Sequence, residues 1–167
     1  MSNPLINLIS RTQRNHGLEH ATLHLLGEKY PSRKFAGHSD PAGFWILGEI
    51  STQEAADTSL AALSALQAGQ GHLAVHPHCG TNLLVSGTLA GLAGAAALSF
   101  PSQEDDRWER IPLVITLATL ALILSRPLGP LLQKRVTTRS DPQGMEIQKI
   151  TIHRWNGHTL HRVHTRG

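Results

Sequence analysis

The chain has one cysteine among 167 residues, Cys79, and this excludes an intrachain disulfide. A lone free thiol fits a reducing compartment. Aromatic residues are scarce, with three Phe, one Tyr and three Trp, and no nucleic-acid signature with interleaved aromatics is present. No nucleic-acid partner is expected. The N-terminus lacks a basic n-region, a long apolar run and a small-residue cleavage site, so no cleavable signal peptide is expected either. Charge is also missing, but only locally. Residues 82–100 carry none, and after one charged loop residues 111–125 again carry none. Each run approaches the roughly 20 residues that cross a bilayer, and two in succession favour a transmembrane hairpin over a buried helical pair.

Against these absences the charged residues divide the chain. Residues 1–81 mix both signs, 82–132 are nearly uncharged outside the loop, and 133–167 are basic. The expected architecture is mainly α with small β elements: a metal-site domain over 1–81, a transmembrane helical hairpin over 82–132 and a basic C-terminal segment over 133–167. The isoelectric point of about 9.5 arises mainly from that last segment, and its natural partner is anionic membrane lipid. In the loop, Arg107 and Arg110 stand among Glu104, Asp105, Asp106 and Glu109, whereas Arg126, Lys134, Arg135 and Arg139 follow the second run. The excess of Lys and Arg there predicts a cytoplasmic C-terminal side, and a hairpin then puts both termini and the metal motifs on that side.

The residues richest in chemistry lie in two blocks. Asn15-His16-Gly17-Leu18-Glu19-His20 contains His-x-x-Glu-His, the inverzincin order. On a helix, His16 and His20 stand one turn apart on one face with Glu19 beside them. Two imidazoles suit zinc, which binds such nitrogens at about 2.0–2.1 Å and in catalytic sites takes three protein ligands. A third ligand comes from His76-Pro77-His78-Cys79-Gly80-Thr81, where the Cys79 thiolate would bind zinc strongly. Pro77 stiffens this turn, Gly80 lets it reverse, and Thr81 or Asn82 caps the apolar helix that follows. The positive end of that helix, together with a metal, lowers the thiol pKa.

At these two blocks the chain resembles the YqhQ-like bacterial membrane proteins, regarded as predicted metal-dependent enzymes. Their pattern is His-Gly-x-Glu-His, then His-x-x-Cys-Gly-Thr, then a membrane helix. The resemblance covers the first half of the chain and the helix after it, and it implies a metal site without fixing a reaction.

In chain order, Pro4 starts a helix whose first turns carry Leu5, Ile6, Leu8 and Ile9, suited to a membrane surface or to covering the core. The helix continues through the motif to Tyr30-Pro31. Gly17 costs about 1 kcal/mol against Ala, and close approach of the second motif's loop would explain it. His24 extends the histidine face as an alternative ligand or a supporting group, equally a core or solvent-facing histidine. Residues 37–43 have loop composition; His38 and Asp40 there are read as turn residues first and site residues second. Phe44–Leu47 reads as a short buried strand that can pair with 34–36. Glu49 is a weaker carboxylate candidate. Ser51-Thr52-Gln53-Glu54 has capping-box spacing for a helix to about Ala68, with Ala55, Leu60, Leu63 and Leu66 on its apolar face and Gly69 as its stop. Small-residue pairs Gly87/Gly91 and Ala90/Gly94 would let a neighbouring helix approach, most simply the next run. Asn156-Gly157 predicts a hairpin over 146–164, and His158, His161 and His164 alternate faces on a strand, which favours a surface role.

Two functions follow as expectations. The first is a membrane-anchored zinc hydrolase acting on peptide or other acyl bonds, or on a small molecule. In it His16, His20 and Cys79 hold the metal, His76 completes or orients the set, and Glu19 is the catalytic base. The alternative is a membrane accessory or assembly protein, working with a membrane protein partner, in which His16, His20, His76 and Cys79 close a structural site.

Overall fold

The structure, a computed structural model, describes residues 4–100 and 107–167. Glu104, Asp105 and Asp106 of the charged loop fall outside the described residues. The protein is mainly helical with one small antiparallel sheet, and it divides into two compact units: Met1–His76 with Lys134–Gly167, and Pro77–Gln133.

The first unit opens with helix α1, Pro4–Lys29, which ends where Tyr30 precedes Pro31. Strand β1, Ala36–Asp40, turns back over Pro41 and Ala42 into β2, Gly43–Leu47. Loop-like composition over 37–40 thus gives way to a strand. The cause is pairing: β1 has β2 alongside it, and the Asp40 carboxylate accepts from the Ala42 amide at 2.7 Å to close the turn. Phe44 and Ile46 are fully buried, as expected of this run.

Helix α2, Thr52–Gln67, begins on the expected reciprocal cap. Ser51 accepts from the Glu54 amide at 3.1 Å, and Glu54 accepts from the Ser51 amide at 2.7 Å. Tyr30 also donates its hydroxyl to Glu54, and these bonds to the charged form push the Glu54 carboxyl down to about 2. Ala55, Leu63 and Leu66 are buried, but Leu60 is exposed and Ala62 takes the inward position instead.

Strands β3, Glu146–Trp155, and β4, His158–Arg166, form the hairpin expected from Asn156-Gly157. Both turn residues have positive φ, 49° and 80°, as the tight turn requires. The hairpin is not separate. β4 pairs with β2, so the sheet order is β1-β2-β4-β3, and residues 133–167 contribute half the strands of the N-terminal unit's sheet. Leu18, Leu26, Phe44, Ile46, Leu66 and Val163 are central to the core shared by α1, α2 and the sheet.

The register also corrects the reading of the C-terminal histidines. His158 is exposed and His164 half-buried, but His161 is only 1% exposed and pairs with Ile46 and Ile152. Burial lowers its pKa, and its Nδ1 has no hydrogen-bond partner among the described residues. On the alternate strand positions, Arg162 donates to Asp40 at 2.7 Å and stacks over Trp45. Burial pushes the Asp40 carboxyl up, but the Arg162 and Ala42 hydrogen bonds outweigh it and leave the carboxyl below its ordinary range.

The second unit is helical. α3, Gly80–Ser99, packs against α4, Ile111–Ser125, and the short α5, Leu128–Leu132, follows. Two stretches, Gly80–Ser99 and Trp108–Ser125, are long and apolar enough to cross a membrane. Their leucines mostly face outward; Leu83 is 77% and Leu124 69% exposed. A water-soluble core helix would bury such residues. The two helices meet at Gly94, where a built Cβ would touch Val114 at 3.4 Å, and through a 2.7 Å Ser86–Ser125 hydrogen bond. Among the described residues nothing approaches Gly87 or Gly91, so the close approach is at Gly94 rather than at the Gly87/Gly91 pair.

Candidate metal centre

His16, His20 and His24 succeed one another on a single face of α1, as i, i+4 spacing dictates. The His16 and His20 ring centroids are 4.3 Å apart. His76 follows the 3₁₀ turn Gly71–Ala74 and lies against the same face, 5.7 Å from His20 and 4.8 Å from His24 between ring centroids. Four histidines of the first unit therefore cluster.

The backbone around them fixes their tautomers. His16 Nδ1 lies 2.9 Å from the Thr137 carbonyl, and His20 Nδ1 lies 2.8 Å from the Ala74 carbonyl. A carbonyl only accepts, so each Nδ1 carries the proton and donates it. In a neutral ring this makes Nε2 the lone-pair nitrogen, the state a metal ligand needs, with its orientation set by the carbonyl. His24 is held the opposite way, through Nε2 to the Val75 carbonyl at 2.9 Å. It differs from the first pair in which nitrogen is committed.

Gly17 explains how Thr137 comes within reach. A Cβ at position 17 would collide with the Arg139 carbonyl and lie 3.4 Å from the Ala74 methyl. The close approach comes from the C-terminal chain, with the turn before His76 as a lesser neighbour, rather than from the second motif's loop. The Arg139 amide also donates to the Gln13 carbonyl at 2.9 Å, pinning this segment along α1.

Glu19 is buried on the neighbouring side of the helix, under β1. Ser39 donates its hydroxyl to Glu19 Oε2, and the missing side chain of Gly37 leaves room for the carboxylate. Asn15 ties the same stretch to the sheet, donating to the Asp40 carbonyl at 2.8 Å and accepting from Thr165 at 2.6 Å.

Cys79 opens the second unit's α3, three positions beyond His76 in the chain. It is itself the N-cap, with extended backbone, and its Sγ accepts from the Thr81 amide at 3.4 Å. This corrects the expected caps: Gly80 is the first helical residue, and Asn82 instead donates to the Pro77 carbonyl at 2.7 Å. The Cys79 sulfur thus sits at the positive end of the helix. His78 and Glu49 are exposed, and the Glu49 carbonyl accepts from Arg33. His38 is exposed on β1, and Asp40 is committed to Arg162. Sequence reasoning did not reach the carbonyls of Ala74, Val75 and Thr137 or the hydroxyl of Ser39; no residue-type pattern marks a backbone acceptor. Ser39 falls in the stretch whose composition predicts a loop.

These features define a mainly helical protein with two membrane-length helices and a small α+β unit bearing clustered histidines. Residues 11–150 match the family described as a domain of unknown function, DUF6391. The chain belongs to that family. It is also 32% identical over 145 residues to an uncharacterized protein of Picosynechococcus sp., covering 81% of this chain and 69% of that protein. No solved structure matches it. The family span includes all the candidate ligands. The resemblance to YqhQ-like proteins rests on the two motifs.

Proposed function

We propose that this chain is a membrane-anchored zinc-dependent hydrolase acting on peptide or other acyl bonds. His16, His20 and Cys79 are assigned here as the zinc ligands on the chemistry of their donor atoms, with His76 completing or orienting the set. The observation that carries the reading is the carbonyl-held pair on α1: His16 and His20 each donate from Nδ1 and so present Nε2. Two imidazole nitrogens and a thiolate are a donor set zinc accepts readily. Zinc bound there would supply acidified water for hydrolysis. Glu19 would take the proton as general base, its carboxylate oriented by Ser39.

Gly80–Ser99 and Trp108–Ser125 serve as the membrane hairpin, supported by their length and outward leucines. The Lys and Arg residues after α4 favour cytoplasmic termini and a cytoplasmic site. A second reading, a structural site in a membrane accessory or assembly protein, is favoured by the close approach of His76 to His20, which offers a fourth ligand and would close the coordination shell.

Glu19→Gln separates the two. After a substrate screen of the wild type, the hydrolase reading expects this variant to keep zinc and fold while turnover falls by about 10²–10⁴-fold, the usual contribution of a positioned acid–base group. An active wild type whose rate is unchanged by Glu19→Gln would exclude the mechanism.

A further inference from the structure

The first turns of α1 expose apolar residues that a helix resting on a protein core would bury. At 100° per residue, Leu5, Ile6, Leu8 and Ile9 share one side, while Asn7, Ser10 and Arg14 share the other. Along the polar side Asn7 is exposed, Ser10 is half-buried and Arg14 is buried, donating to Gln143 at 2.7 Å and to Ser10 at 3.2 Å. The apolar side faces out, with Ile6 61% and Ile9 52% exposed. A helix of this kind is built to meet something apolar beyond the protein.

Charge identifies that partner. No acidic residue occurs in 4–14 or in 126–140, while Arg11, Arg14, Lys134, Arg135 and Arg139 of the first unit all do. Lys134, Arg135 and Arg139 are exposed, as is Val136 between them. This stretch is fastened to α1 by the Gln13 side chain donating to the Val136 carbonyl at 2.6 Å and by the Arg139 amide donating to the Gln13 carbonyl. It is also the stretch by which the chain re-enters the first unit shortly after the second membrane-length helix ends at Ser125. Chain continuity therefore limits how far these basic residues can stand from a membrane that α4 crosses.

We propose that residues 5–12 of α1 lie in the plane of an anionic lipid surface, with Ile6, Leu8 and Ile9 in the acyl boundary and Lys134, Arg135 and Arg139 on the headgroups. This surface rests on the membrane reading of α3 and α4. It adds a third, in-plane contact that holds α1, and with it the histidine face one to three turns further on, at the interface. A substrate approaching from the lipid phase would meet that helix first.

The test is amide hydrogen exchange of the full chain in nanodiscs of pure phosphatidylcholine and of phosphatidylcholine with phosphatidylglycerol. Amides of residues 6–12 should exchange more slowly in the anionic discs. Replacing Lys134 and Arg135 by Gln should lower that protection about fivefold per residue, the share of one basic group at an anionic surface. Ile9→Asp should remove it without changing exchange in 82–99. Equal exchange of 6–12 in both disc types, with 82–99 protected, would overturn the surface while sparing the spans. Rapid exchange throughout 82–99 would overturn the membrane reading itself. Protection of 6–12 that vanishes when each disc holds one copy would assign the face to a second chain and overturn the lipid assignment.

Discussion

Gly17→Ala puts the organisation of the histidine face to a quantitative test, because a second glycine on the same helix supplies its control. In an unencumbered helix, Gly→Ala stabilises by roughly 1 kcal/mol. Gly27 is such a place: among the described residues nothing lies within 4 Å of where a Cβ would stand. Gly27→Ala should therefore raise stability by about 0.4–1 kcal/mol. At Gly17 the new methyl collides with the Arg139 carbonyl, which is backbone and cannot rotate aside. Overpacking of this kind costs about 1–3 kcal/mol. Displacing the 137–139 segment also weakens the Thr137–His16 hydrogen bond, worth roughly 0.5–1.5 kcal/mol. Set against the propensity gain, the net expectation is a loss of about 1–3 kcal/mol, opposite in sign to Gly27→Ala. Urea titration of both variants in detergent, followed by circular dichroism, reads the difference directly. Zinc affinity of Gly17→Ala should fall as His16 loses its fixed tautomer. Equal stabilisation by the two substitutions would refute the close approach of the C-terminal chain to α1.

Three further outcomes are expected. The full chain should require detergent for extraction, since its two apolar stretches expose leucine on most sides; a monodisperse protein recovered from the soluble fraction without detergent would refute the membrane hairpin. His161 is buried and its pKa lowered by burial, so the unfolded chain binds its proton first; stability contributed by the neutral ring is present above about 6.5, the ordinary histidine value, and is lost as pH falls through the lowered folded value. His161→Leu should thus flatten the acid side of the stability profile by up to one proton, and an unchanged slope in a pH series of urea titrations would contradict this. Replacing His20 by Ala should abolish stoichiometric zinc measured by plasma emission; full retention after removal of the C-terminal histidines as well would refute the ligand set.

What was legible in the sequence was what is local. The Ser51/Glu54 cap, the Asn156-Gly157 turn, the end of α1 at Tyr30-Pro31 and the apolar helices each depend on residues a few positions apart, and each is present. The face shared by His16 and His20 follows from helical period alone. What was not legible depends on partners far along the chain. β1 was hidden because Gly37-His38-Ser39-Asp40 has turn composition, and it is a strand because β2 lies beside it. The pairing of β2 with β4 joins residues more than a hundred positions apart, and it is this register that turns His161 inward. Gly17 announced a close approach, but only the fold shows that the approaching group is the Arg139 backbone. The tautomers of His16 and His20 are set by two carbonyls, and a carbonyl belongs to every residue, so nothing in residue type reveals it.

Zinc ligation by His16, His20 and Cys79 can be read directly by zinc K-edge X-ray absorption on purified wild type and Cys79→Ser. The wild type should hold about one zinc per chain with histidine nitrogens near 2.0–2.1 Å and a single sulfur near 2.3 Å, the sulfur shell vanishing in Cys79→Ser. A wild-type spectrum with no sulfur neighbour, or one unchanged by the substitution, would contradict it.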